Sequence, residues 1–442
     1  MRKTFSQFRR ITVINSKQPY IANKFTGIAL VMKSRFLLNT AILLIIAGAI
    51  YLTVNYSLVF SYFTLLYTLI VAFIAFSYKP CQYDHTPSCD VIIPAFNEGK
   101  HVYKTIKSVM GSDYSNLNII VIDDGSTDDT RYYMEQAKRD FPSIKTIFLE
   151  RNQGKKHALA AGIRESNSEI IVTIDSDSSV TADSIKNLVK PFKDGKVGAV
   201  AGNICVQNID KGLIPKLMDI IFVFSYEILR SSQSQFGVVL CTPGALSAYR
   251  RSAVEPLLQT WLDQRFLGKK TTIGEDRALT CLLLKSNWLV MYQESAKAYT
   301  NMPETYVNLC KMLLRWVRGD IRENILLASH IFTHLSFRAP RSFGLAFHYI
   351  IFNIGILSPV VVSPILLGYF IIYFSNAVMM LFYMFIMILL WAIVPTLIYA
   401  RKKSFLHSFH AFTYSIFSLV FLMWIPLYAL LTLDNNKWLT RK

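Results

Sequence analysis

No Asp or Glu occurs before Asp84, and none occurs between Glu323 and Asp434. The chain therefore has an apolar end, a polar middle holding nearly all of its acids, and a second apolar end. Overall, 17% of the residues are charged and 52% are hydrophobic, against about 25% charged in an ordinary soluble domain. The shortfall is concentrated in the two ends. Residues 36–54 and 57–77 are apolar and uncharged, each close to the ~20 residues that a spanning helix requires. This pattern predicts a membrane protein with one globular domain inserted between transmembrane α-helices.

The formal net charge of +18 could suggest nucleic acid, but its distribution argues otherwise. Arg2, Lys3, Arg9, Arg10, Lys17, Lys24, Lys33 and Arg35 precede the first apolar run without one acid. That is the positive-inside signature of a cytoplasmic N-terminus, and such a face also suits anionic lipid heads. No basic-aromatic module accompanies the charge, so nucleic acid is not an expected partner. Two crossings return the chain to the cytoplasm. The expected organisation is a basic N-terminus (1–35), two spans (36–78), a cytoplasmic domain (84–335), three or four further spans (343–432) and a tail (433–442). The lipid bilayer of the cell membrane is the expected setting, with multi-pass topology. The six cysteines show no CxxC pairing and are expected to be free thiols in a reducing compartment.

Within the middle block, short apolar runs alternate with helix-like segments. "CDVIIPAFNE", "LNIIVIDDGS", "SIKTIFLE", "EIIVTIDSD" and "VGAVAGNICV" read as buried strands, with helices expected over 99–111, 128–140, 154–166 and 182–193. Such alternation predicts a parallel α/β sheet, whose ligands sit at the carboxyl ends of the strands. Asn97 and Glu98, Asp123 and Asp124, and Asp175 and Asp177 all fall at such ends.

Asp175 and Asp177 stand one residue apart after an apolar run, and side chains at i and i+2 of a strand point the same way. Two like charges so placed are unfavourable without a cation or base between them. A hard divalent cation bridging to phosphates through one or two carboxylates fits this spacing; helix capping is the plainer reading. Asp123-Asp124-Gly125-Ser126 is either a nucleotide pocket or an Asx turn. Gly154-Lys155-Lys156 opens a helix and reads either as a site for an anionic ligand or as ordinary solvated surface lysines. Gly274-Glu275-Asp276-Arg277 reads as acidic residues favoured by a helix dipole or as a catalytic group. Arg315, Arg318 and Arg322 share one helical face beside Trp316, either as a juxtamembrane basic helix or as a diphosphate clamp. Segments 213–231 and 305–329 read as interfacial helices or, for the first, as a core helix.

Taken in order, "VIIPAFNE", "VIDDGS", "NQGKKHAL", "DSD", "CTPGALSAYRR", "GEDRALT" and "RWVRGDIREN" resemble the processive family-2 glycosyltransferases of membranes. These are the hyaluronan, chitin, cellulose and poly-N-acetylglucosamine synthases, with hyaluronan synthases most alike. The resemblance implies a GT-A, Rossmann-like α/β domain, a UDP-sugar donor, a growing polysaccharide as acceptor, and Mg²⁺ or Mn²⁺ as cofactor. It further implies that Asp124 contacts the uridine and that Asp177 ligates the metal on the diphosphate, with Asp175 beside it. Lys155 and Arg315 would meet the phosphates, Asp276 would act as general base, and Trp316 would lie beneath the acceptor sugar. Asn97 and Glu98 complete the expected substrate edge. The family's Gln-x-x-Arg-Trp box carries Met312 here at the Gln position, and Glu275 stands where hyaluronan synthases often have Asp. The expected activity is inverting transfer with extrusion of the polymer. The donors would be UDP-GlcNAc with UDP-GlcA (hyaluronan-type), the alternative being a chitin or poly-N-acetylglucosamine homopolymer. A non-catalytic nucleotide-binding transporter or scaffold is the remaining reading.

Overall fold

The computed structural model describes residues 65–372 and 377–436. The chain enters on α1 (Leu65–Phe76). It continues through β1 (Cys89–Ala95), α2 (Lys100–Met110), β2 (Leu117–Asp123), α3 (Thr130–Asp140), β3 (Lys145–Phe148), α4 (Lys155–Glu165) and β4 (Ile170–Thr173). Next come β5 (Ser178–Val180), α5 (Ser184–Val189), β6 (Val197–Val206), α6 (Leu213–Phe224), a π-helical turn (Ser225–Arg230) and α7 (Ser231–Gln235). Then follow β7 (Ser247–Arg250), α8 (Arg251–Val254), α9 (Leu258–Leu262) and a small hairpin, β8 (Arg265–Phe266) and β9 (Lys269–Lys270). The domain closes with α10 (Glu275–Lys285), β10 (Leu289–Thr300) and α11 (Tyr306–Thr333). The C-terminal block holds α12 (Pro340–Ile372), α13 (Ala377–Lys402), α14 (Phe405–Ser408), α15 (His410–Phe417) and α16 (Trp424–Leu431).

The five strands read from the sequence all form, and the four helices fall within two residues of their expected starts. The sheet itself differs from the expectation. Its eight strands run in the order β3-β2-β1-β4-β7-β6-β10-β5. The pairs β1–β2, β2–β3, β1–β4 and β6–β10 are parallel, while β7 lies antiparallel between β4 and β6, and β5 antiparallel on β10. The sheet is mixed, not wholly parallel. The strands β5, β7 and β10 are those that the alternation rule overlooks, because "SSV", "LSAYRR" and "LVMYQESAKAYT" lack a continuous apolar run. Central β1 is buried along its whole length, as a strand covered on both faces must be. The chain runs from β1 outward to β2 and β3 and returns to β4 on the other side of β1. That reversal leaves a crevice beyond the carboxyl ends of β1 and β4.

The "IIVTIDSD" run also ends earlier than its hydrophobicity suggests. The strand stops at Thr173, and Asp175 and Asp177 lie in the turn before β5. The Ser178 N–H donates to the Asp175 carbonyl at 3.0 Å and closes that turn. Their common direction is therefore a property of the turn, not of strand pleating.

A second small core joins α1, α6, α13 and α15 through Val71, Ile220, Val394, Ile398 and Ala411. Beside it, Lys403 Nζ reaches both carboxylate oxygens of buried Asp219 at 2.6 and 2.7 Å, and the Tyr399 hydroxyl donates to the same group at 2.7 Å. Lys402 meets Glu227 at 2.6 Å and Glu294 at 2.9 Å. The basic cluster at the end of α13 is thus tied to acids of the domain. Among the described residues one helical stretch, Phe405–Leu422, is long and apolar enough to cross a membrane. The block at 343–432 read as further spans falls on α12 to α16, whereas the span at 36–54, most of that at 57–77 and the basic N-terminus lie outside the described residues. All six cysteines are free thiols.

Candidate active site

A cleft of about 390 Å³ opens beyond the ends of β4 and β6, walled by α6 and the π turn on one side and by α10 and α11 on the other. Six sequence candidates reach it or line it: Lys155, Asp175, Asp177, Asp276, Arg315 and Trp316. Each is held there by local structure.

Lys155 starts α4. Its ammonium lies 2.5 Å from Asp175 Oδ1 and 2.9 Å from Glu275 Oε1. Burial lowers its pKa, but the Asp175 and Glu275 charges outweigh burial and hold it above the usual lysine value. In return, burial opposes the charge on Glu275 and the Lys155 ammonium more than offsets it, so that carboxyl titrates below its ordinary range. Removing one member of such a buried set costs about 3–5 kcal/mol, because the partner is left charged and unpaired. The triad closes against Gly244 of the "CTPGALS" segment, where an added Cβ would come within 2.6 Å of Lys155 Nζ and 3.0 Å of the Asp175 oxygens. Only glycine leaves that space.

Asp276 occupies the first turn of α10, next to Glu275. Its carboxylate accepts the Arg277 N–H at 2.7 Å, and Cys241 Sγ lies 3.9 Å away. Burial and the neighbouring Glu275 charge push its pKa up to about 6. A carboxylate poised there is suited to taking a proton near neutral pH. The start of α10 is braced from behind by Trp261, whose indole N–H donates to the Glu275 carbonyl at 2.9 Å. In front, Gly274 at φ +75° meets Gly319 of α11, and a Cβ on either would stand 3.1 to 3.3 Å from the other's Cα. This backbone contact brings Asp276 up to the face of α11 that carries Arg315 and Trp316.

Asp177 is placed by a residue that sequence reading does not single out. The Thr105 hydroxyl of α2 lies 2.8 Å from the Ser176 carbonyl and 2.7 Å from the Ser178 carbonyl. The backbone is pinned on both sides of Asp177, which faces the cleft. Among the described residues no group of three or more His, Cys, Asp or Glu side chains stands together to cage a metal. One or two carboxylates beside a diphosphate are the donor set that a Mg²⁺-like ion uses when phosphates complete its shell, and Asp177 with Asp175 fits that set.

Asp124, Asn97 and Glu98 lie apart from the cleft lining. The Asp124 carboxylate accepts the N–H groups of Gln153 and Gly154 at 2.9 and 2.8 Å, so it shapes the loop that delivers Lys155. Burial raises its pKa. Asn97 Oδ1 accepts the Thr127 N–H at 2.9 Å, its own N–H donates to Ser126 Oγ at 3.0 Å, and the Glu98 N–H donates to Thr130 Oγ1 at 2.8 Å. These bonds join the loops after β1 and β2 along the crevice edge. The expected three-arginine clamp does not assemble. Arg318 donates to Thr432 Oγ1 at 3.1 and 2.7 Å, and Arg322 to Asn436 Oδ1 at 2.5 Å and the Ile273 carbonyl at 3.2 Å. The cleft meets only the part of α11 that bears Met312, Arg315, Trp316, Gly319 and Asp320; the segment after α16 takes the other two arginines. Met312 is buried and adds an apolar side chain to the lining. Arg230, Gly244, Glu275 and Asp320 also line the cleft; "CTPGALS" and the residue before Asp276 were the legible signals for two of them.

The profile of glycosyl transferase family 2 matches residues 90–258. An N-acetylglucosaminyltransferase of Azorhizobium caulinodans is 30% identical over 372 residues, covering 81% of this chain and 88% of its own. A hyaluronan synthase of Streptococcus pyogenes serotype M3 is 29% identical over 389 residues, covering 85% and 88%. A mannosyltransferase of Pyrobaculum calidifontis, solved with GDP-Man and Mn²⁺, superimposes with a TM-score of 0.58 at 19% identity, over 84% of this chain and 99% of that one. The last likeness establishes the GT-A fold.

Proposed function

Because the chain belongs to glycosyl transferase family 2, we propose that it is a membrane polysaccharide synthase using UDP-sugar donors. The reading is UDP-GlcNAc as the common donor, with UDP-GlcA as the second in a hyaluronan-type product, transferred with inversion to a growing chain. The observation that carries it is the placement of Asp276. It faces the same cleft as Lys155, Asp175, Asp177, Arg315 and Trp316, with its pKa raised to about 6.

In this reading Asp276 accepts the proton of the acceptor hydroxyl as that oxygen attacks the sugar carbon, a contribution of about 10²- to 10⁴-fold. Lys155 has three N–H donors, and Asp175 and Glu275 engage two of them; in this reading the third meets a diphosphate oxygen. Arg315 acts on the same leaving group, where fixed positive charge is worth most in a water-poor cleft. A divalent ion held by Asp177 and Asp175 would neutralise charge on the departing UDP. Trp316, about two-fifths exposed in the cleft wall, offers its ring face to the acceptor sugar. The domain's ties to α13 through Asp219, Glu227 and Glu294 hold the cleft against the C-terminal block. We read α12, α13 and the 405–422 stretch as part of a protein-lined path that a polar polymer requires through hydrocarbon.

The test uses purified protein in lipid with Mn²⁺ or Mg²⁺ and UDP-GlcNAc, UDP-GlcA, or both. Polymer only with both donors is the expected result. Polymer from UDP-GlcNAc alone would replace the hyaluronan-type reading with a homopolymer synthase. The absence of polymer and UDP release with every donor would overturn the catalytic reading.

A further inference from the structure

The cleft continues past Trp316, and its far end holds charges that the transfer step does not use. On α11, Met312, Trp316 and Asp320 recur every four residues and all line the cleft, as one helical face must. On the opposite wall Phe222, Tyr226 and Arg230 recur at the same interval and line it too. Between those walls the rings of Phe222 and Trp316 lie 6.3 Å apart. The π-helical turn Ser225–Arg230 keeps the second row on the cleft side; such turns are frequent at functional sites.

Asp320 and Arg230 close this double row. Asp320 Oδ1 lies 3.9 Å from Arg277 Nε, and Arg277 is itself committed to the Leu240 carbonyl and, at 2.6 Å, to Asn324 Oδ1. Arg230 stacks over Tyr226 at 4.0 Å and donates to Ser225 Oγ at 2.6 Å, while its buried Nε has no hydrogen-bond partner among the described residues. Asn324 donates to Asn353 of α12 at 3.1 Å, and Phe352 of α12 lines the same end of the cleft. The charged pair therefore lies on the side facing the C-terminal block, away from Asp177 and Lys155. Four helical residues separate Trp316 from Asp320, a rise of about 6 Å, comparable to the length of one pyranose unit.

We propose that Asp320 and Arg230 form a second sugar subsite, which binds the neutral sugar next to the one resting on Trp316. The inference rests on the polysaccharide-synthase reading of this cleft. Asp320 accepts hydrogen bonds from hydroxyls of that sugar and Arg230 donates to its oxygens. A carboxylate and a guanidinium on facing walls complement a polyhydroxy ligand without net charge. The ligand class is a β-linked oligosaccharide of two or more units that places a neutral N-acetylhexosamine in this subsite.

The experiment measures binding to the full chain in lipid nanodiscs, with UDP and Mn²⁺ present, of N-acetylglucosamine, chitobiose and chitotriose. The wild type is expected to bind chitobiose at least tenfold more tightly than the monosaccharide. Asp320→Asn and Arg230→Gln are each expected to erase most of that gain, and Asp320→Glu to restore part of it. UDP binding by the same samples verifies that the variants are folded. A tenfold gain that persists in both variants would overturn the subsite and leave the pair a structural brace for Arg277. A wild type without preference for the disaccharide, or without oligosaccharide binding, would overturn it as well while UDP-GlcNAc turnover continued. Loss of wild-type turnover itself would instead bring down the synthase reading.

Discussion

Asp276→Asn lowers the transfer rate by about 10²- to 10⁴-fold, the range a positioned general base contributes, and leaves UDP binding within a small factor of wild type. The substitution keeps the shape of the side chain and can still accept the Arg277 N–H. It removes a charge that burial and Glu275 already disfavour, as the rise of its pKa to about 6 records. A carboxyl whose pKa is raised on folding makes the folded state less stable when ionised than when protonated. At neutral pH the neutral amide therefore leaves thermal stability equal or higher, and the lost rate cannot be ascribed to unfolding. The wild-type enzyme carries the matching pH signature. Its kcat/KM falls as pH drops through about 6, because protonated Asp276 has no capacity to accept the acceptor proton, and this limb is absent in Asp276→Asn. Steady-state UDP release from pH 5 to 8 with both proteins checks the prediction. A variant retaining near wild-type rate would remove Asp276 from the base role.

The second large effect is at Asp177. Asp177→Ala raises the Mn²⁺ concentration needed for half-maximal UDP release and lowers the saturated rate by at least about tenfold. The substitution retains the contacts by which Thr105 pins the neighbouring carbonyls of Ser176 and Ser178. Asp175 shares Lys155 with Glu275, so Asp175→Ala disturbs the buried ion set as well. Chelation of divalent ions lowers the wild-type rate at least as far as Asp177→Ala does, and re-added Mn²⁺ restores the variant only partly and at higher concentration than the wild type. An unchanged metal requirement in Asp177→Ala would exclude it as a ligand.

Much of the architecture was legible because burial writes itself into hydrophobic runs. β1, β2, β4 and β6 lie in the sheet interior and appear as continuous apolar stretches, and α4 opens at Gly154 as its glycine indicated. The mixed character of the sheet was hidden. β7 and β10 reach their places through pairing partners more than 45 residues away in sequence, and their mixed composition carries no period that betrays a strand. Within the site, the acids at strand ends were readable, and so was the Arg-Trp pair of α11. The division of labour among them was not. Asp124 turns inward to hold the Gln153 and Gly154 amides, and two of the three arginines on one helical face are taken by Thr432 and Asn436, more than a hundred residues away. Helical periodicity places side chains on a face; it cannot say which neighbour that face will meet. Thr105 and Gly319 were silent for the same reason, since one acts through a hydroxyl on a distant turn and the other through the absence of a Cβ where two backbones touch.

The most direct measurement of the account is the anomeric configuration of the first bond formed. Protein in lipid is supplied with α-linked UDP-GlcNAc, with UDP-GlcA included if the product requires it, and the new linkage is read by NMR before any product is degraded. A β linkage is expected, because Asp276 acting as base on the acceptor hydroxyl implies one displacement at the sugar carbon. An α linkage would contradict the account, since retention requires either a second displacement by an enzyme nucleophile or attack from the leaving-group face.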